Sequence, residues 1–510
     1  MNEINANQIV SEAFSAAVEY FKQKKHPYSI VILEQLLKCE PDHHDALQLY
    51  GINLQSINKY DEAIEIFTKC LKIEPENVET LNNLALSVSC KGQFKESVEI
   101  FKSALKIRDC SYIYNNLALQ YRHLNEVEKS IKCLEKSNQI KESATTWAML
   151  GGCYGELKNL DKSEFCLRKA LEIDSGLAGA HVDLASIHHL RGEWAKGFAE
   201  YEYRHEVYDQ LKIWSNIYNP QNQWRGQKLE GKSILVHCEQ GHGDAVNFCR
   251  YLPYLQKLGA YVIFQCSESL KTLMLELTDQ TYCVDPLQIP TWQERLAGAA
   301  HTIPNHDYHC SLISLPHLLN NPPIIGARYL NFKNKYDLSN YNNQFKIGIV
   351  WAGNPQHPND KQRSCHLKWF RETSSIPNVK LFSLMKDTRS RAYFGSNEAI
   401  DLTAGCENMG VVDMSFAISS FEDTASIINA LDLVIGVDTS VLHLAGALGK
   451  RCINMLPWNP DWRWCLEGEN TVWYDSMTLV RPDSKNCWTS VFSKVKNLLQ
   501  IEMKKATEAL

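Results

Sequence analysis

Leu431-Asp432-Leu433-Val434-Ile435-Gly436-Val437-Asp438-Thr439-Ser440-Val441-Leu442-His443-Leu444-Ala445-Gly446-Ala447-Leu448-Gly449 decides the fold of the C-terminal part of the chain. Leu433 to Val437 is an apolar, β-branched run of the kind that fills a buried parallel strand. Asp438, Thr439 and Ser440 follow, all residue types that cap helix N-termini. Val441, Leu442, Leu444, Ala445 and Leu448 then give an apolar helical pattern that stops at Gly449. A strand feeding a helix through a short polar turn aims unpaired amides and the positive end of a helix dipole outward, which suits a phosphate. His443, one turn into the helix, is within reach of the same anion. The stretch fits equally an ordinary strand–helix unit with a capped helix and a surface histidine.

Around this stretch the chain runs to 510 residues, too long for one core and matching roughly three domains. Its 44% apolar and 22% charged residues are those of a soluble globular protein, and a mild net charge of −6 implies neither a nucleic-acid nor an anionic-membrane partner, so no nucleic acid is expected. The start, MNEINANQIVSEAF, has no basic region followed by an apolar core, and no apolar run approaches membrane-spanning length. The expectation is a cytoplasmic protein without a transmembrane segment. Seventeen cysteines, an odd number with no C-x-x-C pair, predict free thiols rather than disulfides or zinc ligands.

The first third is repetitive. Leu47, Tyr50-Gly51, Tyr60, Ala63, Phe67, Cys70-Leu71 and Pro75 recur as Leu81, Leu84-Ala85, Phe94, Ser97, Phe101 and Ala104-Leu105. They recur again from Tyr114 and from Trp147, with a period of about 33–34 residues. The pattern resembles the tetratricopeptide repeat. A degenerate unit around Tyr28 to Pro41 precedes it and another, His181 to Tyr201, follows, which makes six units within residues 1–211. Stacked helix pairs form an α-solenoid whose concave face commonly takes peptides or protein surfaces. Asn82, Asn83, Asn115 and Asn116 recur at equivalent positions, and paired amides suit hydrogen bonding to an acceptor backbone. Against that, they serve solvent or the next repeat.

Residues 212–232 lack periodicity and read as a linker with aromatic anchors, Trp214 and Trp224. Ser233 to Cys238 then reads as a strand, followed by a glycine turn and a helix from Ala245 to Lys257. Tyr261 to Cys266 is a second strand. Phe345 to Trp351, Leu381 to Leu384, the opening stretch and Arg451 to Leu456 continue the alternation. Two doubly wound α/β halves follow, 233–340 and 341–510, with a cleft outside the carboxyl ends of their strands.

Three polar loops sit at those strand ends. Gly241-His242-Gly243-Asp244 pairs a turn that lets a ligand approach the backbone with a carboxylate, which is either a general base or a helix cap. Gly353 to Ser364 carries Lys361 and Arg363, suited to a diphosphate leaving group or to plain solvated surface. The third loop brings Asp438, Thr439, Ser440 and His443. No Asp-x-Asp adjoins a strand end, no P-loop pattern is present, and Gly241-His242-Gly243 is only the first half of a dinucleotide fingerprint.

EQGHGDAVNFCRYLP, IGIVWAGNPQHPNDKQRS, DLVIGVDTSVLHLAGALGK and PWNPDWRWCLEG together resemble the glycosyltransferases of the heptosyltransferase type, glycosyltransferase family 9, in the variant fused behind tetratricopeptide repeats. The resemblance implies a GT-B fold of two Rossmann-like lobes and an inverting, metal-independent transfer. The donor it implies is a nucleotide-diphosphate sugar, as substrate and without a further cofactor, held mainly by the C-terminal lobe. Asp244 matches the family's base; Lys361 or Arg363 matches its phosphate-contacting cation. Asp438, Thr439, Ser440 and His443 match its diphosphate turn. With Gly241 and Gly243 these are the expected donor-site residues. Ser440 stands where many relatives carry glycine, and Met385 where relatives with repeats often carry glutamine. The Trp458 to Trp464 cluster reads as aromatic packing under a loop or as part of the cleft.

Repeats ahead of such a transferase also resemble protein O-GlcNAc transferases, so a protein or a glycan acceptor fits. A non-catalytic repeat scaffold with a transferase-like domain is the competing reading, supported by the departures at 385 and 440. An epimerase of the same fold is a third.

Overall fold

The computed structural model describes residues 3–283, 291–298, 303–355, 357, 359–386, 406, 409–485 and 487–508. Gln356 and Pro358, part of the second polar loop, lie outside the described residues. The chain divides into two compact units, Met1–Leu184 and Ala185–Leu510.

The first unit is built of antiparallel helix pairs: α1 (Glu3–Lys22) with α2 (His26–Cys39), α3 (His44–Ser56) with α4 (Tyr60–Ile73), and α5 (Val78–Cys90) with α6 (Phe94–Ile107). Then come α7 (Ser111–His123) with α8 (Val127–Ile140), and α9 (Ala144–Glu156) with α10 (Leu160–Ile173). The small–large alternation read from the sequence sits at the crossings. A Cβ on Gly51 would lie 2.5 Å from the Phe67 ring, so only glycine admits that approach. In the next pair Ala85 and Phe101 are fully buried in one cluster with Ile113 and Leu117. Asn58 and Asn125 turn the chain between helices at positive φ, a conformation asparagine tolerates. Asn77 and Ser143 cap α5 and α9 by accepting from the amides of Thr80 and Thr146.

The unit boundary falls inside α11 (Ala178–Leu190), so the helix that completes the last pair, α12 (Trp194–Tyr201), belongs to the second unit. The segment expected as an aperiodic linker is also folded. Asp209–Ile217 is a helix, and its Trp214 and Ile217, with Tyr218, share a buried cluster with Leu235 and Ile263 of the first sheet. Spaced three and four apart, these apolar residues face one side of the turn. A buried ion pair adds to this attachment: Arg204 donates to both carboxylate oxygens of Glu239, and neither side chain is exposed.

Among the described residues the strands form two parallel sheets. The first holds β1 (Ser233–His237), β2 (Tyr261–Gln265), β3 (Gln280–Tyr282) and β4 (Tyr308–Ser311) in the order β3-β2-β1-β4. The second holds β5 (Phe345–Val350), β6 (Val379–Ser383), β7 (Val412–Asp413), β8 (Leu433–Val437), β9 (Cys452–Met455) and β10 (Met477–Val480) in the order β10-β9-β8-β5-β6-β7. β8, from the opening stretch, is buried along its whole length between β5 and β9. One expected helix is broken. Between Ala245 and Lys257 the chain forms the helix His242–Phe248, a tight turn and a second helix, Leu252–Lys257. Pro253 in the first turn of that second helix explains the break, since it has no amide and its ring collides with the preceding turn.

No cysteine is in a disulfide. Among the described residues, no helix is long and apolar enough to cross a membrane.

Candidate active site in the cleft of the second unit

In each sheet the strand order reverses at one place, between β1 and β4 and between β5 and β8. Such reversals open a crevice beyond the carboxyl ends of the strands. The loops after β1, β5 and β8 all reach the same cleft, of about 970 Å³. Its lining includes Gly241, Gly243, Asp244, Arg363, Asp438, Thr439, Ser440 and His443.

The glycine turn presses on the third loop. A Cβ on Gly243 would lie 3.0 Å from the His443 ring and 3.5 Å from Ser440 Cα. Any larger residue would push the two loops apart, so the glycine is what brings the β1 loop against the helix Ser440–Ala447.

Asp244 sits in the first turn of His242–Phe248, and its Oδ2 accepts the Gly241 amide at 3.0 Å. Its Oδ1 pairs with Arg463, which the sequence reading missed. Burial pushes the Asp244 carboxyl above the usual range, and the Arg463 charge opposes that shift. Asp244 is not the N-cap, which is Gly241, but completes a capping box from the third helical position, and it stands half-buried in the cleft. The neighbouring Glu239 also lines the cleft, but Arg204 holds both of its oxygens.

Lys361 and Arg363 part company. They lie two apart on the short helix Asp360–Arg363, a spacing that points side chains to different sides. Arg363 faces the cleft and donates to the Asp438 carbonyl at 3.1 Å, whereas Lys361 is exposed and lies outside the lining. Of the two, Arg363 is the cation that lines the cleft, where Lys386 and Arg463 also lie.

At the third loop Thr439 takes the N-cap position, yet its hydroxyl caps nothing, and Oγ1 is buried without a partner. The expected capping by this polar turn is not made, which leaves the first amides of Ser440–Ala447 for a ligand. The helix Phe421–Ala430, which also reaches the cleft, differs: Ser420 and Asp423 form a complete capping box there. Asp438 lies 3.7 Å from His443 Nε2, and burial, with Asp461 nearby, pushes its carboxyl up to about 6.

His443 is not a surface histidine. The residue is 7% exposed, its ring stacks on Trp464, and Nδ1 is 2.8 Å from the Tyr474 hydroxyl. Burial holds its pKa well below the ordinary value, with Arg463, Arg250 and Arg363 adding to the effect. It thus offers the cleft a neutral imidazole rather than a charge. Tyr474 also receives the Asn247 amide at 2.8 Å, which ties the helix after β1 to the segment that leads into β10.

Sequence reasoning missed Arg463, Asp461, Asn247 and Tyr474. The aromatic cluster around Arg463 was visible, and both readings of it hold in part: Trp462 and Trp464 pack, while Arg463 and Asp461 line the cleft. Met385 also lines the cleft.

The four asparagines of the first unit do not act alike. Asn82 and Asn83 line a groove of about 710 Å³ with Asp45, Glu74, Glu79 and Tyr112. Asn115 is outside that lining and donates to Thr146 at 3.0 Å, and Asn116 donates to Asn82 at 2.8 Å. For Asn115 and Asn116 the amides join successive repeats, because the repeat stacks equivalent positions side by side.

The tetratricopeptide repeat family matches residues 44–77, 78–108, 111–143 and 144–176. Protein FlbA of Caulobacter vibrioides is 24% identical over 303 residues, covering 55% of this chain. That alignment takes in 48% of FlbA, so the chain spans about half the length of the curated relative it matches. Among solved structures, TTC0263, a thermophilic TPR protein of Thermus thermophilus, is 17% identical with a TM-score of 0.31, covering 35% of this chain and 98% of that one. PilF of Pseudomonas aeruginosa is 13% identical with a TM-score of 0.35, covering 40% and 93%. The N-terminal region is a tetratricopeptide-repeat array, an architecture that offers a surface for protein interaction.

Proposed function

We propose that the second unit is a GT-B glycosyltransferase that moves a sugar from a nucleotide-diphosphate donor to an acceptor hydroxyl. Asp244 takes the hydroxyl proton as the acceptor oxygen attacks the anomeric carbon. The bond from that carbon to the diphosphate breaks, and the departing anion is held by Arg363, the Thr439 hydroxyl and the free amides of Ser440–Ala447. Attack from the face opposite the leaving group inverts the anomeric centre. The repeats present a protein or glycan acceptor. Seventeen thiols without a disulfide suit a cytoplasmic setting.

The observation that carries this reading is the meeting, in one cleft, of a half-buried carboxylate with a guanidinium and an uncapped helix start. A scaffold without turnover draws support from one feature, the occupation of both Asp244 oxygens by Gly241 and Arg463. Calorimetry against a panel of nucleotide-diphosphate sugars tests the donor site. At least one is expected to bind, and Arg363→Ala to weaken it by roughly 10- to 100-fold, as loss of a charge-assisted hydrogen bond implies. Failure of every donor to bind contradicts the proposal and favours the scaffold.

A further inference from the structure

Arg463 is 6% exposed, yet it lines the cleft. Its two terminal nitrogens reach different carboxylates: Nη2 meets Asp244 Oδ1, and Nη1 donates to Asp461 Oδ1 at 2.9 Å. Nε is buried without a partner. The guanidinium lies 4.1 Å over the Trp462 ring and 5.4 Å over Phe248. Trp462 in turn stacks on His189 of α11 at 4.2 Å. Asp461 caps the turn Trp462–Trp464 by accepting the Arg463 amide at 3.0 Å. The arginine is thus fixed from below by aromatic rings and from the side by its own turn, which leaves one arm to hold Asp244.

Two oxygens and two tethers define the carboxylate's orientation. Gly241 fixes Oδ2 from the N-terminal sheet's loop, and Arg463 fixes Oδ1 from the turn after β9. Neither Asp461 nor Glu239 can take over, because both repel Asp244. The other groups within its field are His357 and Cys238.

We propose that Arg463 is a positioning residue for Asp244, fixing the orientation of that carboxylate at the cleft, with Asp461 competing for the same guanidinium. This rests on the reading of Asp244 as the base, but its test does not need turnover. The two partners make opposite predictions. Loss of Arg463 leaves the half-buried Asp244 beside Asp461 and Glu239 without its counter-charge and raises its titration midpoint. Loss of the Asp461 charge removes a repulsion, frees the guanidinium for Asp244 and lowers that midpoint.

The test is carbon-13 NMR titration of the full chain labelled at aspartate carboxyls, with the Asp244 signal assigned by its disappearance in Asp244→Asn. The midpoint is expected to rise in Arg463→Met, to return toward the wild-type value in Arg463→Lys, and to fall in Asp461→Asn. An unmoved or lowered midpoint in Arg463→Met, or a raised one in Asp461→Asn, overturns the proposal. Should Arg463→Met not fold, Asp461→Asn decides alone: a lowered midpoint supports the proposal, and an unmoved or raised one overturns it. With a transferable donor in hand, Arg463→Met is also expected to lower kcat by about 100-fold at unchanged donor affinity, the usual cost of a misplaced catalytic group. A chain that shows these shifts but transfers no sugar refutes the transferase reading and leaves the positioning intact.

Discussion

In the repeat unit a polar side chain finds its partner about one repeat along the chain. Gln55 donates to Ser87 at 2.7 Å, Ser89 to Gln120 at 2.7 Å, and Asn116 to Asn82 at 2.8 Å. In the α/β unit the partners come from far away: Asp244 and Arg463 are 219 residues apart, Asn247 and Tyr474 are 227 apart. Among the described residues both units leave some buried polar atoms without a partner, Gln48 Oε1 and Asn138 Nδ2 in the repeats and Thr439 Oγ1 and Arg463 Nε in the cleft. A buried polar atom without a partner costs stability wherever it lies. What separates the units is reach: the repeats bond to their neighbours, whereas the cleft joins loops more than 200 residues apart.

That contrast breaks most visibly through stability. Phe101→Ala empties a fully buried position of the repeat core and is expected to cost about 3–5 kcal/mol in denaturant unfolding of the first unit. Nucleotide affinity is expected to stay as it was, because the cleft is lined wholly by residues of the second unit.

A smaller effect sharpens the other side. Asp438 is pushed up to about 6 by burial, so it is neutral below that pH and ionised above it. An ionised carboxylate beside the helix start repels a diphosphate. Donor affinity is therefore expected to weaken roughly tenfold as the pH rises through that midpoint, the scale of one partly screened like-charge contact. A nucleotide sugar keeps its own charge over this range, since both phosphates are esterified. Calorimetry at several pH values checks the slope, which is expected to flatten in Asp438→Asn.

The smallest effect lies between repeats. Asn116→Ala removes one hydrogen bond to Asn82 and is expected to cost about 1 kcal/mol of repeat stability, measured by thermal unfolding. A much larger loss would mean that the asparagines form a cooperative ladder rather than separate links.

The same contrast explains what the sequence made legible. Repeats show in sequence because each position answers to another at a fixed offset, as Gly51 with Phe67 and Ala85 with Phe101 do. Leu433–Val437 was legible as a strand because burial on both faces demands an unbroken apolar run. Met477–Val480, an edge strand interrupted by a threonine, gives no such run. The helix after the glycine turn looked continuous until Pro253 is given its geometric weight. At the site, residue types indicated the loops but not which side chain turns inward. Lys361 and Arg363 are told apart by the direction of one short helical turn. Asn115 looked like a ligand for a peptide because its partner, Thr146, belongs to the next repeat. Arg463 stayed hidden because its meaning lies wholly in a contact with a carboxylate 219 residues away.

Sugar transfer by Asp244→Asn beside the wild type, with donor affinity measured on the same two preparations, tests the central claim most directly. Co-expressed proteins and glycans serve as acceptors, and mass spectrometry reads the added sugar. The account predicts that the wild type modifies an acceptor and that the variant still binds donor while its turnover falls by roughly 10²–10⁴-fold, the span expected for loss of a general base. A variant that binds donor and transfers at the wild-type rate would contradict it.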